Sequence, residues 1–516
     1  MSSFKYPEIP FHDQILRNFD DYGDKLALKD QKECLKFNEV KLLVIEMEFI
    51  LRKLDLRKGD FILVCIPNSC QYPILLLAAA KSGVILSGIN PCSTQKELEY
   101  FIEIVQPKVI ILQSKSQFDC QQKIPNNIQI LFIGDTIRET IDSWSDELFN
   151  INEFSENGIQ LSMDDVFLAS FSSGTTGLPK CCLLTHRNFS AATQSLKIGL
   201  FNELLENSTS KCNLAFLPFC HASGLWALLY SLMEGCLTVI LEKFNPIEVI
   251  RAVEEHKVDI LNVVPSILSV LIRLPDKKPL SSIRIMLCGA SHLSEDLMDS
   301  FLSAFPSITH ILRGYGMTEA VCLSHISSFK DSKIGSCGKP LPGFEVKLVN
   351  NSENDDSEDE ESGELWLKSD AIMKSYKDHN ALDGNGWYHT GDILKVDSDG
   401  FYYVNGRIKD MIKVNGLQVF PVELEELLLT NSEVNECVVI GLEDDRSGQV
   451  PAAFVVRKNE NNIPNEDLIN ELHDIIQRNC VNCKHLRGGI FIVESLPRNR
   501  SGKINKTELM KLTTNE

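Results

Sequence analysis

The chain has 516 residues, of which 43% are hydrophobic and 24% are charged, a composition typical of globular proteins. A chain of this length exceeds what one hydrophobic core normally serves, so we expect two or more domains. Its 51 basic and 71 acidic residues give a formal net charge of −20. That balance argues against nucleic acid and against anionic membrane surfaces as partners.

The cysteines and the apolar stretches bear on the compartment. Sixteen cysteines are scattered along the chain without a short repeating frame, and no apolar signal-peptide core precedes them. We therefore expect reduced thiols and a cytoplasmic protein. The most apolar stretches, 73–89 and 225–241, are interrupted by Lys81 and Glu234, so we expect no transmembrane segment. The last three residues match no peroxisomal Ser-Lys-Leu signal, although another route to that organelle stays open.

Up to about residue 345, apolar strand-like runs alternate with amphipathic helix-like runs. The pattern predicts strands at 61–66, 108–112, 128–133 and 166–171, and a helix at 72–82. Alternation of this kind is typical of a layered α/β architecture.

The run that follows the strand at 166–171 is rich in hydroxyls and glycines. Its members are Ser172, Ser173, Gly174, Thr175, Thr176, Gly177, Leu178, Pro179 and Lys180. Glycines permit positive φ and close backbone approach, while N–H groups, hydroxyls and a lysine can surround phosphate oxygens. The common phosphate loop passes from Gly-Lys-Ser/Thr into a helix. Here the pattern predicts a strand at 181–184 and a helix only from about His186, with Thr185 as its N-cap. Alone, the run indicates either an unusual nucleotide grip or a plain turn.

Beyond residue 345 the pattern changes to that of a small α+β module. The segment 350–361 is acidic and contains nothing apolar, which predicts a solvated surface insertion. Two turns of the hairpin type, Asn405-Gly406 and Asn415-Gly416, suggest a domain boundary near residue 406. The elements predicted around and after them are strands at 401–404, 411–414, 436–441, 452–456 and 489–493, and helices at 421–429 and from about 466.

Four further runs could contact a nucleotide. They are Arg-Gly-Tyr-Gly-Met-Thr-Glu at 313–319, Trp-Tyr-His-Thr-Gly-Asp at 387–392, Gly-Arg-Ile-Lys-Asp-Met-Ile-Lys-Val-Asn-Gly at 406–416, and Pro-Arg-Asn-Arg-Ser-Gly-Lys at 497–503. In the first, two glycines would let Tyr315 lie against a flat ligand, and Glu319 could hold Mg²⁺. In the second, Asp392 could accept ribose hydroxyls. Taken singly, each run is as typical of a turn as of a site.

Together, and in this order, the five runs resemble the adenylate-forming superfamily, in the branch of acyl-CoA synthetases, 4-coumarate–CoA ligases and beetle luciferases. The run Lys-His-Leu-Arg-Gly-Gly at 484–489 is also similar to that branch, and the resemblance covers nearly the whole chain. It implies a large N-terminal adenylation domain at 1–406, built of layered α/β sheets with a small β-barrel-like part. A small, mobile α+β domain would follow at 407–516.

The resemblance also implies a two-step reaction that uses ATP, Mg²⁺ and coenzyme A. A carboxylate attacks the α-phosphate of ATP, giving an acyl-adenylate and diphosphate, and the thiol of coenzyme A then displaces AMP. Charge stabilisation around phosphorus is needed rather than a protein nucleophile. The partners implied are a small carboxylic acid, ATP and coenzyme A, with no obligate protein partner evident.

The resemblance assigns roles to individual residues. Lys503 would be the catalytic lysine of adenylation, Lys409 the hinge, and Glu319 the metal ligand. Ser172, Ser173, Gly174, Thr175, Thr176, Gly177, Lys180, Ala290, Gly314, Tyr315, Thr318, Asp392 and Arg407 would bind ATP. Lys413 would act in the thiol step, where coenzyme A would meet Lys243, Asn415 and Gly416. Relatives often carry lysine at the position of Asn415, which departs from the pattern here.

His221, Ser223 and Gly289 would line the acyl pocket, and His221 would also be a catalytic residue that changes pose between the two steps. Luciferases and coumarate ligases usually carry an aromatic side chain at the position of Ser223. A small residue removes a stacking wall for an aromatic acid, which favours a fatty acid slightly over a 4-coumarate-type acid. Two alternatives stay open: adenylation without transfer to coenzyme A, as in luciferases, and a catalytically silent homologue that binds a nucleotide or acyl-CoA.

Overall fold

The structure is a computed structural model. The structure describes residues 4–115, 117, 124–147, 159–172, 179–276, 280–289, 295–350, 362–415, 417–444, 446–458, 464–498 and 504–512. The acidic segment from residue 351 to 361 therefore lies outside the described residues.

The strands of the described residues are numbered in chain order. They are β1 Leu26–Lys29, β2 Cys34–Lys36, β3 Phe61–Cys65, β4 Ile85–Gly88, β5 Val109–Leu112, β6 Gln129–Phe132, β7 Val166–Ser172, β8 Lys180–Thr185, β9 Cys212–Ala215, β10 Leu237–Ile240, β11 Ile260–Val263, β12 Ile285–Cys288, β13 His310–Tyr315, β14 His325–Ile326, β15 Lys339–Pro340, β16 Glu345–Val349, β17 Ser362–Lys368, β18 Ser375–Tyr376, β19 Tyr388–Val396, β20 Tyr402–Arg407, β21 Ile412–Val414, β22 Leu417–Val419, β23 Val434–Asp444, β24 Gly448–Arg457 and β25 Ile490–Val493.

The α-helices are numbered in the same way. They are α1 Phe11–Leu16, α2 Phe19–Tyr22, α3 Phe37–Lys53, α4 Gln71–Lys81, α5 Gln95–Val105, α6 Ile137–Glu147, α7 His186–Leu196, α8 Asn202–Asn207, α9 Ala222–Met233, α10 Pro246–His256, α11 Pro265–Ile272, α12 Glu295–Ala304, α13 Pro421–Leu429, α14 Asn465–Asn479 and α15 Lys506–Leu512.

By internal packing the chain divides into two compact units. Unit 1 comprises Met1–Glu345 and Leu367–Tyr388, and unit 2 comprises Val346–Trp366 and His389–Glu516. The functional boundary between residues 406 and 407 stays a prediction. The mixed α/β architecture expected for the chain is confirmed.

A seven-stranded sheet organises the first part of unit 1, with strand order β18-β8-β7-β4-β3-β5-β6. The strands from β7 to β6 run parallel, whereas β8 is antiparallel to β7 and β18 is antiparallel to β8. The parallel strand β5 reads Val-Ile-Ile-Leu and is wholly buried, as expected where both faces of a sheet are covered.

The rest of unit 1 contains two further sheets. In one, β11, β12 and β13 run parallel and continue into the antiparallel strands β14 and β15. In the other, the order is β2-β1-β10-β9. A buried apolar cluster beside β11 and β12 includes Leu261, Val263 and Met286. Packing in this cluster holds the ends of β11 and β12 in place, and with them the loops that follow these strands.

Unit 2 holds most of a four-stranded sheet, β16-β17-β19-β20, and a five-stranded sheet of β22-β21-β24-β23 with β25 paired to β24. Among the described residues the four-stranded sheet is open, so the small β-barrel-like part expected from the resemblance is not a closed barrel. Helices α13 and α14 pack on the five-stranded sheet through buried leucines such as Leu428 and Leu472.

The turn predicted at Asn405-Gly406 is wrong. The strand β20 continues through both residues to Arg407, and its register against β19 shifts so that Asn405 has no partner opposite it. One extra residue in one strand is a β-bulge, which Gly406 accommodates at φ 143°. The second predicted turn is confirmed, since Val414 pairs with Leu417 across the two residues that join β21 to β22.

Two further properties concern the described residues as a whole. Their fifteen cysteines are all free thiols. In the part of the chain that the structure describes, no helix has the length and apolar character needed to cross a membrane.

Candidate active site

The predicted phosphate loop joins two adjacent antiparallel strands of unit 1. Ser172 ends β7 and pairs directly with Lys180, which begins β8. The predicted strand–loop–strand arrangement is therefore confirmed. Of the predicted loop residues, Ser173, Gly174, Thr175, Thr176 and Gly177 lie outside the described residues.

The helix after this hairpin begins where the sequence indicated. Thr185 is the N-cap of α7, and its side chain accepts a hydrogen bond from the Asn188 amide at 3.2 Å. The Asn188 Oδ1 in turn accepts a hydrogen bond from the Thr185 amide at 2.9 Å. These reciprocal bonds fix the junction of β8 and α7 and so the strand that carries Lys180.

Lys180 is linked to the predicted metal ligand through a tyrosine. Its Nζ lies 5.0 Å from the ring centroid of Tyr376, a cation–π distance. The Tyr376 hydroxyl donates a hydrogen bond to Glu319 Oε1 at 2.8 Å. Burial raises the pKa of Tyr376, and the Glu319 carboxylate raises it further, so the hydroxyl remains a donor at neutral pH.

Glu319 is held in a buried position next to this tyrosine. It lies in the short 3₁₀ helix Thr318–Ala320 and is only 7% exposed. Its backbone carbonyl accepts the Met373 amide at 2.8 Å, which ties the helix to the chain just before β18. A carboxylate oxygen is the ligand that Mg²⁺ prefers, and the lysine nearby suits the phosphates that accompany the metal. The donor chemistry of this group therefore fits Mg-ATP.

Two tyrosines of this cluster escaped sequence reasoning. Tyr376 belongs to a strand of two residues, paired to β8 opposite Cys182, and its hydroxyl also lies 3.1 Å from that of Tyr388. Tyr376 stands in none of the runs singled out in the sequence, and Tyr388 stands in the 387–392 run, where only Asp392 was given a role. Tertiary pairing brings Tyr376 to Glu319 and places Tyr388 beside Tyr376.

Glycines gather where the parallel strands β12 and β13 end. A Cβ at Gly289 would lie 3.6 Å from the Gly314 carbonyl oxygen, so these backbones approach closely. A Cβ at Gly316 would lie 1.8 Å from the Cys322 carbonyl oxygen, which makes glycine obligatory there. The Tyr315 ring packs edge-on against His325 at 5.8 Å between centroids. Carboxyl ends of parallel strands are common ligand positions. Ala290 lies outside the described residues.

His221 and Ser223 stand at the start of α9. His221 is the N-cap residue, and both side chains are half-buried. Because residue 224 is a glycine, the helix can begin close to the preceding segment. A Cβ at this position would lie only 2.5 Å from two backbone oxygens. The Asn262 side chain donates to the Ser223 carbonyl at 3.2 Å, linking this turn to β11. Lys243 is exposed between β10 and α10.

In unit 2, the two residues predicted to bind ribose form an ion pair. Asp392 on β19 and Arg407 on β20 are register partners, with Arg407 Nε 2.8 Å from Asp392 Oδ1. The Asp392 side chain is 4% exposed and that of Arg407 is 39% exposed. A guanidinium held beside a buried carboxylate can orient it toward hydroxyl groups.

The predicted hinge and thiol-step residues line one surface groove of unit 2. The groove has a volume of about 420 Å³, and its lining includes Lys409, Lys413, Glu443 and Gln449. Asn415 is exposed on the same short segment and has a left-handed φ of 51°. Asparagine tolerates that conformation better than most residues, which gives its presence at the turn a conformational reason.

Lys503 and Gly416 lie outside the described residues. The flanks of the run that holds Lys503 are described: Arg498 forms an antiparallel bridge with Ile504, and the Asn505 amide donates to the Pro497 carbonyl at 2.8 Å. Lys506 Nζ then lies 3.0 Å from Asp410, the residue after Lys409.

Comparison with known proteins gives concordant results. The family model described as AMP-binding enzyme matches residues 15–377, and the AMP-binding enzyme C-terminal domain matches residues 423–503. A 4-coumarate–CoA ligase from Petroselinum crispum is 32% identical over 520 residues, covering 97% of this chain and 93% of that protein.

Two solved structures are similar across both units. The anthranilate CoA ligase AuaEII, in complex with anthranoyl-AMP, has a TM-score of 0.85 at 26% identity, covering 98% of this chain and 97% of that one. The o-succinylbenzoate CoA synthetase of Bacillus subtilis, in complex with ATP and magnesium ion, has a TM-score of 0.78 at 26% identity, covering 98% and 100%.

Proposed function

The chain belongs to the AMP-binding enzyme family and is an AMP-forming acyl-CoA ligase, and from that premise we propose that its substrate is a fatty or arylpropanoid-type carboxylic acid. The acid is activated with ATP and transferred to coenzyme A. The family's CoA ligases require ATP, Mg²⁺ and coenzyme A.

The contact of Lys180, Tyr376 and Glu319 in unit 1 carries the proposal for the activation step. The lysine ammonium contacts the tyrosine ring, and the tyrosine hydroxyl donates to the buried carboxylate, so a cation, a hydroxyl donor and a carboxylate lie next to one another. Glu319 would hold Mg²⁺, which when bound neutralises phosphate charge, and Lys180 would hold the phosphates that leave as diphosphate. Ser172, paired to Lys180, would add its hydroxyl from the other strand of the hairpin.

The first step forms one bond and breaks one. A carboxylate oxygen of the acid attacks the α-phosphorus of ATP, and the bond to the β-phosphate bridging oxygen breaks with release of diphosphate. Lys503 would place its ammonium between the carboxylate and the α-phosphate, while Asp392 and Arg407 would hold the ribose. Thr318, in the same short helix as Glu319, would contact the α-phosphate.

In the second step the sulfur of coenzyme A attacks the acyl carbon of the adenylate. The acyl–phosphate oxygen bond breaks, AMP leaves, and the thiol proton passes to solvent. Lys413 and Asn415 of unit 2, with Lys243 of unit 1, would contact coenzyme A, and a turn at Lys409 would be the pivot between the two steps. His221 would lie at the acyl tunnel.

Within the proposed acid classes, Ser223 supports the fatty acid. Its small side chain on the first turn of α9 provides no aromatic wall against which a coumarate ring could stack. The half-buried position of Ser223 is consistent with a residue that lines a pocket.

Acid-dependent exchange of labelled diphosphate into ATP tests the activation step. A panel of fatty acids of graded length and of cinnamic-type acids should support exchange, with a fatty acid giving the highest rate. Addition of coenzyme A should convert the same acid to acyl-CoA, detectable by mass spectrometry. Release of free adenylate without acyl-CoA would instead identify the luciferase-like alternative, and absence of exchange with every acid would identify a silent homologue.

The catalytic lysine has its own test. Lys503→Ala should lower the exchange rate by about 10²–10³, because a preorganised cation is lost from the transition state. The same variant should still convert a supplied acyl-adenylate and coenzyme A to acyl-CoA. Equal losses in both steps would contradict the assignment of Lys503 to activation alone.

A further inference from the structure

The segment that carries Lys413 and Asn415 pairs with β22 at three positions, whereas its backbone pairing with β24 is short. The strand β21 spans only Ile412–Val414, and its described register with β24 is a single pair, Val414 with Gly448. The next amide, that of Asn415, donates to the Ser447 carbonyl at 2.8 Å. A further contact to the Lys413 backbone on this side would therefore add to the two that join β21 to the β24 side.

The side chain of Gln449 supplies such a contact. Its Oε1 accepts a hydrogen bond from the Lys413 backbone amide at 3.0 Å. Its Nε2 donates to Glu443 Oε1 at 3.1 Å, across to β23. One amide side chain thus spans three strands, with its acceptor on Lys413 and its donor on Glu443.

The lack of a side chain at Gly441 leaves room for this pose of Gln449. A Cβ at Gly441 would lie 3.3 Å from Gln449 Oε1 and 3.1 Å from Ile412 Cγ2. The glycine therefore leaves just enough space for the glutamine carbonyl beside β21. On the segment itself, Ile412 and Val414 are buried while the Lys413 side chain is exposed toward the groove it shares with Gln449.

We propose that Gln449 is a positioning residue for the thiol-transfer step, holding the backbone of Lys413 so that its side chain meets coenzyme A. This inference rests on the proposed function, in which Lys413 acts in that step and not in activation. Gln449 would act through the Lys413 backbone rather than by touching a substrate. Its removal should therefore weaken use of coenzyme A and leave activation unaffected.

The variant Gln449→Met keeps the length of the side chain and removes both hydrogen bonds. A neutral hydrogen bond of this kind corresponds to about a threefold to tenfold effect. We expect kcat/KM for coenzyme A to fall by about that factor when synthetic octanoyl-adenylate or coumaroyl-adenylate is supplied. The rate of diphosphate exchange should match that of the wild-type protein.

A paired substitution provides the rescue. Gln449→Glu retains an acceptor for the Lys413 amide but sets two carboxylates against each other, so it should also lower coenzyme A use. The double variant Glu443→Gln/Gln449→Glu reverses the side-chain hydrogen bond and removes the repulsion. It should restore kcat/KM for coenzyme A to within about twofold of wild type. This comparison uses only variants with polar side chains at both positions, and so it tests the inference even where Gln449→Met folds poorly.

The outcomes separate this inference from the function on which it rests. Failure of the wild-type protein to make acyl-CoA from either adenylate would overturn both. If wild type makes acyl-CoA and Lys413→Ala loses that step, while Gln449→Met does not, the inference alone is wrong. It is equally wrong if Gln449→Met lowers exchange as much as transfer, or if the double variant is no better than Gln449→Glu.

Discussion

Removal of the Tyr376 hydroxyl should impair activation by releasing the Glu319 carboxylate. The substitution Tyr376→Phe keeps the ring beneath Lys180 and deletes the donor that lies 2.8 Å from Glu319 Oε1. Tyr376, Glu319 and the neighbouring Tyr388 are 6%, 7% and 7% exposed, so water cannot easily replace the lost bond. The variant removes the bond to this buried carboxylate together with the contact to the Tyr388 hydroxyl.

The size of the effect follows from the charge and burial of that bond. Hydrogen bonds to charged groups contribute about 1.5–3 kcal/mol, and about 1.4 kcal/mol corresponds to tenfold. We expect kcat/KM for Mg-ATP in diphosphate exchange to fall about tenfold to a hundredfold, with a raised Mg²⁺ requirement. The free energy of unfolding should fall by about 1–3 kcal/mol, measured by denaturant titration.

Tyr388→Phe is the matched control. It removes a hydroxyl 3.1 Å from that of Tyr376 but leaves the bond to Glu319 in place. Its exchange rate should remain within about threefold of wild type. The reasoning is refuted if Tyr376→Phe exchanges at the wild-type rate with an unchanged Mg²⁺ requirement, or if the two variants lose activity equally.

Three further predictions follow from other contacts. Burial lowers the pKa of His325 to about 3, below the usual value of about 6.5, so its contribution to stability is present above pH 6.5 and is lost as the pH falls. The unfolding free energy of His325→Gln should therefore fall less steeply between pH 6 and 4, by up to about 1.4 kcal/mol per pH unit. Equal slopes for the variant and the wild-type protein would contradict this. Arg407→Met removes the cation beside the buried Asp392 carboxylate, whereas Asp392→Asn removes the anion beside a more exposed guanidinium. Denaturant titration should therefore find the arginine variant less stable, and the reverse order would contradict this. Gly224→Ala places a methyl group 2.5 Å from two backbone oxygens, so it should lower the free energy of unfolding by at least about 2 kcal/mol and lower the exchange rate. The control Gly384→Ala, which has open space around it, should change neither quantity. Similar melting curves for the two variants would rule out the tight helix start.

Local signals in the sequence predicted the elements that depend on local chemistry. The hairpin at Ser172 and Lys180 and the cap at Thr185 follow from hydroxyl and glycine positions that act over a few residues. The Asn405-Gly406 turn failed because a bulge and a turn share the same small, left-handed-tolerant residues, and only the partner strand decides between them.

The contacts that connect the side chains of the candidate site could not be predicted, for a related reason. Tyr376 reaches Glu319 because a short strand, distant in sequence, pairs to the edge of β8. Gln449 reaches Lys413 through a side chain that replaces a backbone ladder contact. Neither relation has a composition or spacing that marks it, since both depend on which strand edges meet.

Simultaneous measurement of all products in one reaction tests the central claim most directly. The protein is incubated with ATP, Mg²⁺, coenzyme A and the best acid of the panel, and AMP, diphosphate and acyl-CoA are quantified over time. We predict that the three accumulate in equal amounts and only when the acid is present. Formation of ADP and phosphate, or of AMP without acyl-CoA, would contradict the account.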